Sequence, residues 1–153
     1  MANKKYELFL INAKLLFREF GIKPLLYGSL GLEVLLQKDL LSDDIDILIP
    51  NAVLSEHWEY FKTFLESNGY ILIDLHEHTF VKNNVKYSYA DIDGLNDFAG
   101  IDSLCENEYH LSLTLCDFLK VYEASLMDGY RQNKKNKNDN EKIEIIKKAI
   151  QEE

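Results

Sequence analysis

The sequence has few cysteines, few basic residues and no long apolar run, and each shortage excludes a class of protein. Only Cys105 and Cys116 occur in the 153 residues, and they form no CxxC motif. So few cysteines are typical of a protein in a reducing, intracellular compartment rather than of a disulfide-stabilised secreted domain. No stretch approaches the roughly 18 apolar residues that a membrane span requires. We therefore expect a soluble, cytoplasmic protein that does not contact a membrane.

The shortage of basic residues gives the chain an acidic balance. Lysine and arginine number 17 against 26 aspartates and glutamates, so the formal net charge is −9 at pH 7. A protein that binds nucleic acid in general needs a basic face. The charge therefore argues against general nucleic-acid binding, but it leaves room for a small polyanion whose charge is bridged by metal ions.

Hydrophobic periodicity predicts a mixed α/β (α+β) fold, with a mixed sheet flanked by helices in a single domain over residues 1–153. Apolar residues at helical spacing cover residues 5–20 and stop at Gly21. A short buried strand at 25–27 and a central strand at 45–49 follow. The other predicted elements are a short helix after Ser29, an amphipathic helix from Leu54 through Leu65, strands at 70–74, 79–82 and 85–92, and C-terminal helices from about 115 to 150.

Three local signals mark the connections between these elements. Asn83-Asn84 is typical of a tight hairpin turn. Thr114-x-x-Asp117 is typical of a helix start. The Lys- and Asn-rich stretch 132–140 predicts an exposed connection ahead of a last helical stripe of isoleucines. The order of the strands in the sheet does not follow from these patterns.

The segment Asp44-Ile45-Asp46 is the most informative feature of the chain. At positions i and i+2 of a predicted strand, both carboxylates point to one face, and the isoleucines of the strand point to the core. Two carboxylates about 7 Å apart along a strand repel each other unless a cation lies close to them. Hard oxygen ligands of this kind suit Mg²⁺ or Mn²⁺. Asp43 adds a third negative charge next to the pair.

Gly28-Ser29 lies where a predicted strand turns into a predicted helix. A helix N-terminus presents free backbone N–H groups and the positive end of the helix dipole. Glycine lets a phosphate approach the backbone closely, and the serine hydroxyl adds a hydrogen bond. The segment Gly28–Gly31 is neither a Walker A loop nor a GxGxxG fingerprint. Together with the carboxylate pair on the next strand, the junction predicts a site for a metal–nucleotide complex.

The stretch from Tyr27 to Pro50, YGSLGLEVLLQKDLLSDDIDILIP, resembles the signature of the nucleotidyltransferase superfamily, which has the DNA polymerase beta-like fold. That signature is a hydrophobic residue, Gly-Ser or Gly-Gly, a short helix, and Asp-x-Asp on the next strand. Residue by residue, Gly28 and Ser29 match the phosphate-binding pair, and Asp44 and Asp46 match the metal-binding pair. The chain is similar to the small bacterial members of this superfamily, which are minimal nucleotidyltransferase domains.

The resemblance implies a transferase that uses a nucleoside triphosphate, for which we expect ATP, together with two divalent metal ions (Mg²⁺ or Mn²⁺). In this superfamily a hydroxyl of a small-molecule or protein acceptor attacks the α-phosphorus, and pyrophosphate leaves. The metal ions offset the charge that develops on the attacking and leaving oxygens. A third carboxylate on a later strand helps to hold the catalytic metal.

The C-terminal region resembles the tail of those small members, where basic residues precede an aspartate in a closing helix. Here Lys134, Lys135 and Lys137 precede Asp139. We therefore take Lys137 as the candidate contact to the triphosphate. The alternative is that these lysines form a solvated linker without a ligand.

Asp91 is the candidate for the third catalytic and metal-binding carboxylate, beside Asp44 and Asp46. It shares one face of its predicted strand with Asp93, which is the alternative, whereas Ser88 lies on the opposite face. If the face of Ser88 lines the site, the third carboxylate is absent. The alternative function is then a catalytically weak module of the same fold that interacts with a partner protein, as an antitoxin does.

Three further points leave alternatives open. His76-Glu77-His78 places two imidazoles on one strand face, and we favour exposed hairpin histidines over a metal pair. The carboxylate pair alone is also compatible with phosphatase or isomerase chemistry in a metal-binding α/β protein. A domain of this size has little room to enclose an acceptor, which raises the hypothesis of a homodimer in which a second copy completes the pocket.

Overall fold

The secondary structure is a mixture of helices and strands, as predicted. The computed structural model describes residues 3–127 and 129–152, and for residues 129–138 it describes the backbone alone. Within these residues the chain forms seven α-helices and seven β-strands, which confirms the mixed α/β class. The helices are α1 (Lys4–Phe20), α2 (Gly28–Leu36), α3 (Asn51–Leu54), α4 (Trp58–Ser67), α5 (Leu95–Ala99), α6 (Leu115–Met127) and α7 (Gly129–Gln151). The strands are β1 (Leu25–Tyr27), β2 (Ile45–Ile49), β3 (Ile71–Asp74), β4 (Thr79–Lys82), β5 (Val85–Asp91), β6 (Cys105–Glu106) and β7 (Leu111–Ser112).

The strands form one mixed sheet with β2 at its centre. Their order is β3-β4-β5-β2-β1-β7-β6. β2 runs antiparallel to β1 and parallel to β5. β4 pairs antiparallel with both β3 and β5, and β7 pairs parallel with β1. The central position of β2 confirms the sequence prediction and places the segment that carries the aspartates between two paired neighbours.

One face of β2 is buried in the main hydrophobic core. Successive side chains of a strand alternate between its two faces, and Ile45, Ile47 and Ile49 are all 0% exposed. Asp46 lies between these isoleucines and therefore points to the other face. The same core contains residues of α1, α4 and the neighbouring strands, namely Phe9, Ala13, Leu16, Leu26, Phe61, Leu65, Phe80, Tyr87 and Tyr89.

The local turn and cap signals are confirmed. Gly21 ends α1 with a left-handed φ of 66°. Asn83 and Asn84 both have positive φ, 51° and 65°, as a tight two-residue hairpin loop requires. The Thr114 hydroxyl accepts a hydrogen bond from Asp117 N–H at 3.1 Å at the start of α6.

Two predicted helix boundaries differ from the structure. The exposed connection predicted over residues 132–140 is wrong, because these residues belong to α7. The three lysines and one glutamine of this stretch favour a helix, whereas its four asparagines and one aspartate do not. Neither glycine nor proline interrupts the chain after Gly129, so the shortage of apolar residues does not mark a break in the helix. The helix predicted from Leu54 through Leu65 is divided into α3 and α4. Every described helix, α7 included, is too short or too polar to span a membrane.

The chain divides into two compact units. The first comprises Met1–Asp93 and Glu106–Ser112, and it holds every candidate site residue except Lys137. The second comprises Gly94–Cys105 and Leu113–Glu153, and in it α6 packs against α7. The single domain expected over residues 1–153 stays a prediction.

Candidate functional site

The junction between β1 and α2 brings Gly28 against the carboxylate of Asp46. Gly28 is the first residue of α2 and has a left-handed φ of 63°. A Cβ at this position would lie 2.4 Å from Asp46 Oδ2, which is closer than real side chains tolerate. Only glycine meets both conditions, because it lacks a Cβ and adopts positive φ without strain. The half-buried Ser29 follows it in the first turn of α2.

Asp46 lies in β2, as the sequence pattern predicts, but Asp44 lies in the bend just before the strand and not within it as predicted. Asp46 is the second residue of the strand, and Asp44 immediately precedes the first residue, Ile45. Both are half-buried. The register pairs Asp46 with Tyr27, the residue that leads into Gly28. Because β1 and β2 are antiparallel, the end of β1 and the start of β2 lie at the same edge. Gly28 and Asp46 come together there, and Asp44 lies two residues before Asp46 along the chain.

The pairing of β2 with β5 decides which residues of β5 share the face of Asp46. The two strands are parallel, and Asp46 lies directly across from Ser88. Laterally paired residues share a face, with the strands about 4.8 Å apart. β4 extends this arrangement, because Thr79 pairs with Ser88 and its Oγ1 lies 2.8 Å from Ser88 Oγ. A polar row (Tyr27, Asp46, Ser88 and Thr79) thus crosses four strands on one face of the sheet.

Asp91 lies on the other face of β5. It pairs with Ile49, whose side chain belongs to the core face. Three positions separate Asp91 from Ser88, so its Cα lies about 10 Å further along the strand and its side chain leaves from the opposite face. Asp91 is exposed, and its Oδ1 accepts a hydrogen bond from Asp93 N–H at 2.6 Å. The register therefore corrects the expected grouping of Asp91 with the metal-binding pair.

The face of β5 that carries Asp91 is otherwise a core face. Tyr87 and Tyr89 are almost fully buried there. Burial raises the pKa of Tyr87 to about 12 and raises the pKa of Tyr89 well above its ordinary value. Asn12 Nδ2 donates a hydrogen bond to Tyr89 OH at 2.7 Å. These hydroxyls are therefore neutral structural groups near pH 7 rather than acid–base groups.

The polar row has no carboxylate on β5. The β5 residues on the face of Asp46 are Lys86, Ser88 and Ala90. Among the residues that the structure describes, no three His, Cys, Asp or Glu side chains come together as a metal site. A divalent ion here would therefore be held by the carboxylates of Asp44 and Asp46 and by oxygens of a bound phosphate compound. Mg²⁺ is commonly bound in this way, through one or two carboxylates and substrate phosphates.

The groups on either side of Gly28 are chemically suited to the two parts of such a metal–phosphate complex. A Cβ on Gly28 would overlap the Asp46 carboxylate, so the start of α2 and this carboxylate are in direct contact. The N–H groups at a helix start are suited to phosphate oxygens. The carboxylate is suited to a hard cation that lies between it and the phosphate.

The remaining candidates from the sequence do not join this site. The side chain of Lys137 lies outside the described residues, so its contact to the triphosphate stays a prediction. His76 is exposed. His78 packs edge-on against Trp58, with ring centroids 4.9 Å apart. Exposure of one histidine and packing of the other agree with the hairpin interpretation and not with a metal pair.

Glu33 is a buried acidic residue that matches no motif. It is 4% exposed within α2, and its two oxygens accept three hydrogen bonds. Two of its donors lie in the loop that leads to Asp44. The sequence signal that could have identified it is a single charged residue in the otherwise apolar stretch 30–36. A charge in such a stretch is buried with its neighbours and therefore needs hydrogen-bond partners.

Comparison with known proteins identifies the family of the chain. No protein-family model matches it. The chain is 46% identical to the uncharacterized protein YnaI of Bacillus subtilis (strain 168) over 154 positions, which cover 96% of this chain and 98% of that protein. The chain belongs to the YnaI family. The similarity to YnaI spans nearly the whole of both chains, so it extends over both compact units. The name of YnaI states no activity, so membership of the family identifies neither a substrate nor a reaction.

Proposed function

We propose that this protein binds a nucleoside triphosphate as a complex with a divalent metal, in the manner of a nucleotidyltransferase. The observation that carries the proposal is the contact between Gly28 and Asp46, which joins a helix N-terminus to a carboxylate of the metal-binding type. The N–H groups at the start of α2 and the Ser29 hydroxyl would receive phosphate oxygens. Asp44 and Asp46 would hold Mg²⁺ or Mn²⁺. When bound, the metal offsets the negative charge of the phosphates.

Transfer of a nucleoside monophosphate to a hydroxyl, on a small molecule or a protein, is the reaction that the family resemblance implies. In that superfamily this reaction requires a third carboxylate, which holds the catalytic metal and takes the proton of the acceptor hydroxyl. β5 offers Ser88 across from Asp46 instead. A neutral hydroxyl is a weaker metal ligand than a carboxylate and a poor general base. We therefore favour a catalytically weak, nucleotide-binding module that acts through a partner protein.

Isothermal titration with ATP and Mg²⁺ tests the nucleotide site. We expect the wild type to bind, and Asp44→Asn and Asp46→Asn each to weaken binding by about tenfold or more, because they keep the shape but remove the charge. Asp91→Asn, on the other face of the sheet, is the matched control and should bind as the wild type does. If the wild type binds none of ATP, GTP, CTP and UTP, the proposal fails. The proposal also fails if Asp44→Asn and Asp46→Asn bind ATP as tightly as Asp91→Asn does.

Release of pyrophosphate distinguishes the weak module from an efficient transferase. With ATP, Mg²⁺ and a panel of small hydroxyl acceptors, the weak module should release pyrophosphate no faster than without an acceptor. A pull-down in the presence of ATP and Mg²⁺ should then return one stoichiometric protein partner. Rapid release with a small acceptor would contradict the weak module and would favour the transferase.

A further inference from the structure

The loop between α2 and β2 is attached to the buried carboxylate of Glu33. Glu33 Oε2 accepts hydrogen bonds from Leu40 N–H at 3.1 Å and from Ser42 N–H at 2.9 Å. Its Oε1 accepts one from Asn3 Nδ2 at 3.3 Å. Lys5, which lies in α1, donates a hydrogen bond from its ammonium group to the Ser42 carbonyl. The loop is therefore held by α2 and by the N-terminal end of α1, immediately before the site carboxylates.

Within this attached loop Leu41 has an unfavourable backbone conformation. Leu41 lies between the two loop donors, has a left-handed φ of 57° and is 83% exposed. Leucine rarely adopts this conformation, and an exposed leucine gains no burial that would offset the strain. Such a residue keeps its conformation only when the surrounding structure fixes it, and strain of this kind is found mainly at functional sites. The two hydrogen bonds of Glu33 on either side of Leu41 contribute to that constraint, together with the hydrogen bond that Leu41 N–H donates to Asp39 Oδ1 at 2.8 Å.

We infer that Glu33 is a positioning residue for the metal–nucleotide site, and that it acts by fixing the loop from which Asp44 emerges. Glu33 holds Ser42, two residues before Asp44. The sheet fixes the chain from Ile45 onward, directly after Asp44. Asp44 is thus constrained from both sides along the chain. The inference rests on the proposed function, because the position of Asp44 matters only if its carboxylate helps to bind the complex.

Glu33 does not act as a ligand itself. Both of its oxygens already accept hydrogen bonds, and the residue is almost fully buried. Its role is that of an outer partner that orients a ligand-bearing segment. Removal of such outer partners typically weakens metal binding by 10- to 100-fold.

Three variants separate this positioning role from general stabilisation. Glu33→Ala removes every hydrogen bond to the loop. Glu33→Gln keeps one amide oxygen, which is able to accept from both Leu40 N–H and Ser42 N–H. Leu65→Ala, at a fully buried position of α4, destabilises the core without touching the loop.

Hydrogen exchange in the ligand-free protein gives a readout that needs no metal. Glu33→Ala should speed the exchange of the Leu40 and Ser42 amides relative to the amides of β2, because these two amides lose their acceptor. Glu33→Gln and Leu65→Ala should leave that ratio near its wild-type value. An unchanged ratio in Glu33→Ala would overturn the inference.

Isothermal titration with the magnesium complex of α,β-methylene-ATP gives the second readout. Glu33→Ala should bind about 10- to 100-fold more weakly than the wild type, while Glu33→Gln and Leu65→Ala should stay close to it. If Glu33→Ala does not fold, Glu33→Asp replaces it, because the shorter side chain does not reach the loop amides.

The outcomes separate the inference from the proposed function. Wild-type affinity in Glu33→Ala, together with lost binding in Asp44→Asn, would overturn the positioning role and leave the proposed function standing. An equal loss in Leu65→Ala would also overturn it, because destabilisation alone would then account for the effect. Absence of binding by the wild type would overturn the proposed function, and the positioning role with it.

Discussion

Gly28 and Asp46 approach each other so closely that a Cβ on Gly28 would lie 2.4 Å from Asp46 Oδ2. A carboxylate thereby lies near the positive end of the α2 dipole, an arrangement typically worth about 0.3–1 kcal/mol. The same carboxylate would repel a phosphate at this helix start. A nucleotide and Asp46 are therefore compatible only when a cation lies between them.

Gly28→Ala should destabilise the protein more than Gly21→Ala does. Both glycines have a left-handed φ, 63° and 66°, so alanine costs about 1 kcal/mol or more at each position. The added Cβ meets open space at Gly21 but meets the Asp46 carboxylate at Gly28. Urea unfolding should show an excess loss of about 1–3 kcal/mol at Gly28 from this overlap. The excess should shrink in an Asp46→Ala background, where only the Cβ of residue 46 remains, 3.1 Å from the added Cβ. An undiminished excess there would contradict the contact with the carboxylate.

Removal of metal should abolish nucleotide binding. Asp44 and Asp46 leave negative charge at the junction where the triphosphate is proposed to lie. Titration of ATP in EDTA should therefore show no binding to the wild type, and Mn²⁺ should restore binding as Mg²⁺ does. In Asp46→Ala, which lacks the repelling carboxylate, the difference between EDTA and Mg²⁺ should become smaller. Tight binding of ATP by the wild type in EDTA would contradict a metal-bridged site.

The sequence predicted those parts of the fold whose requirements are local. Gly21 and the Asn83-Asn84 turn adopt the left-handed conformations that their residue types favour. The strands at 25–27 and 45–49 were located to the residue, because compact apolar runs bounded by Gly and Pro define them. The sequence thus predicts Gly28 at the end of one strand and Asp46 in the next, but their meeting at one edge of the sheet follows from the antiparallel pairing of β1 and β2.

Whether β5 supplies a third carboxylate to the site could not be predicted from the local sequence pattern. Alternation along β5 separates Asp91 from Ser88, but it does not say which of them faces Asp46. That choice is made by the register between β2 and β5, which are distant in sequence. The role of Glu33 is equally non-local, because its partners lie on a loop and on the segment before α1.

Stability should fall as the pH drops through the ordinary range of histidine, because His110 is buried in its neutral form. Its Nδ1 lies 2.8 Å from the Leu111 carbonyl, and its Nε2 lies 2.9 Å from Asn107 Nδ2. A carbonyl only accepts and an amide nitrogen only donates, so Nδ1 carries the proton and Nε2 accepts. Burial lowers the pKa of His110 below 6.5. The unfolded chain therefore binds more protons below pH 6.5, and the free energy of unfolding falls until the pH reaches the pKa of the folded state.

Urea unfolding at about pH 7 and about pH 5.5 measures this effect of His110. The wild type should lose more stability between the two values than His110→Gln does. His57→Gln, which changes an exposed histidine, is the matched control. Equal losses in the wild type and in His110→Gln would contradict the neutral, buried state.

Tyr89→Phe should cost more stability than Tyr87→Phe, although both tyrosines lie on the same buried face of β5. Tyr89 OH accepts from Asn12 Nδ2 at 2.7 Å, and Asn12 Oδ1 is already buried without a partner in the described residues. Loss of the acceptor would leave the buried amide further unsatisfied, at a cost of about 1–3 kcal/mol. Asn12→Leu combined with Tyr89→Phe removes both groups and should cost less than the sum of the single changes. Equal unfolding free energies for Tyr87→Phe and Tyr89→Phe would contradict this role of Asn12.

Ser88→Asp should supply the third carboxylate that β5 lacks on the site face. Ser88 lies directly across from Asp46, so the added group would extend the Asp44 and Asp46 pair into a set of three hard oxygen ligands. Electron paramagnetic resonance of free Mn²⁺ should show metal binding without nucleotide about tenfold or more tighter than in the wild type. Ser88→Asn, of similar size but without charge, should bind as the wild type does. Equal Mn²⁺ affinities in Ser88→Asp and Ser88→Asn would contradict the placement of position 88 beside the pair. If the missing carboxylate limits transfer, Ser88→Asp should also release pyrophosphate faster than the wild type.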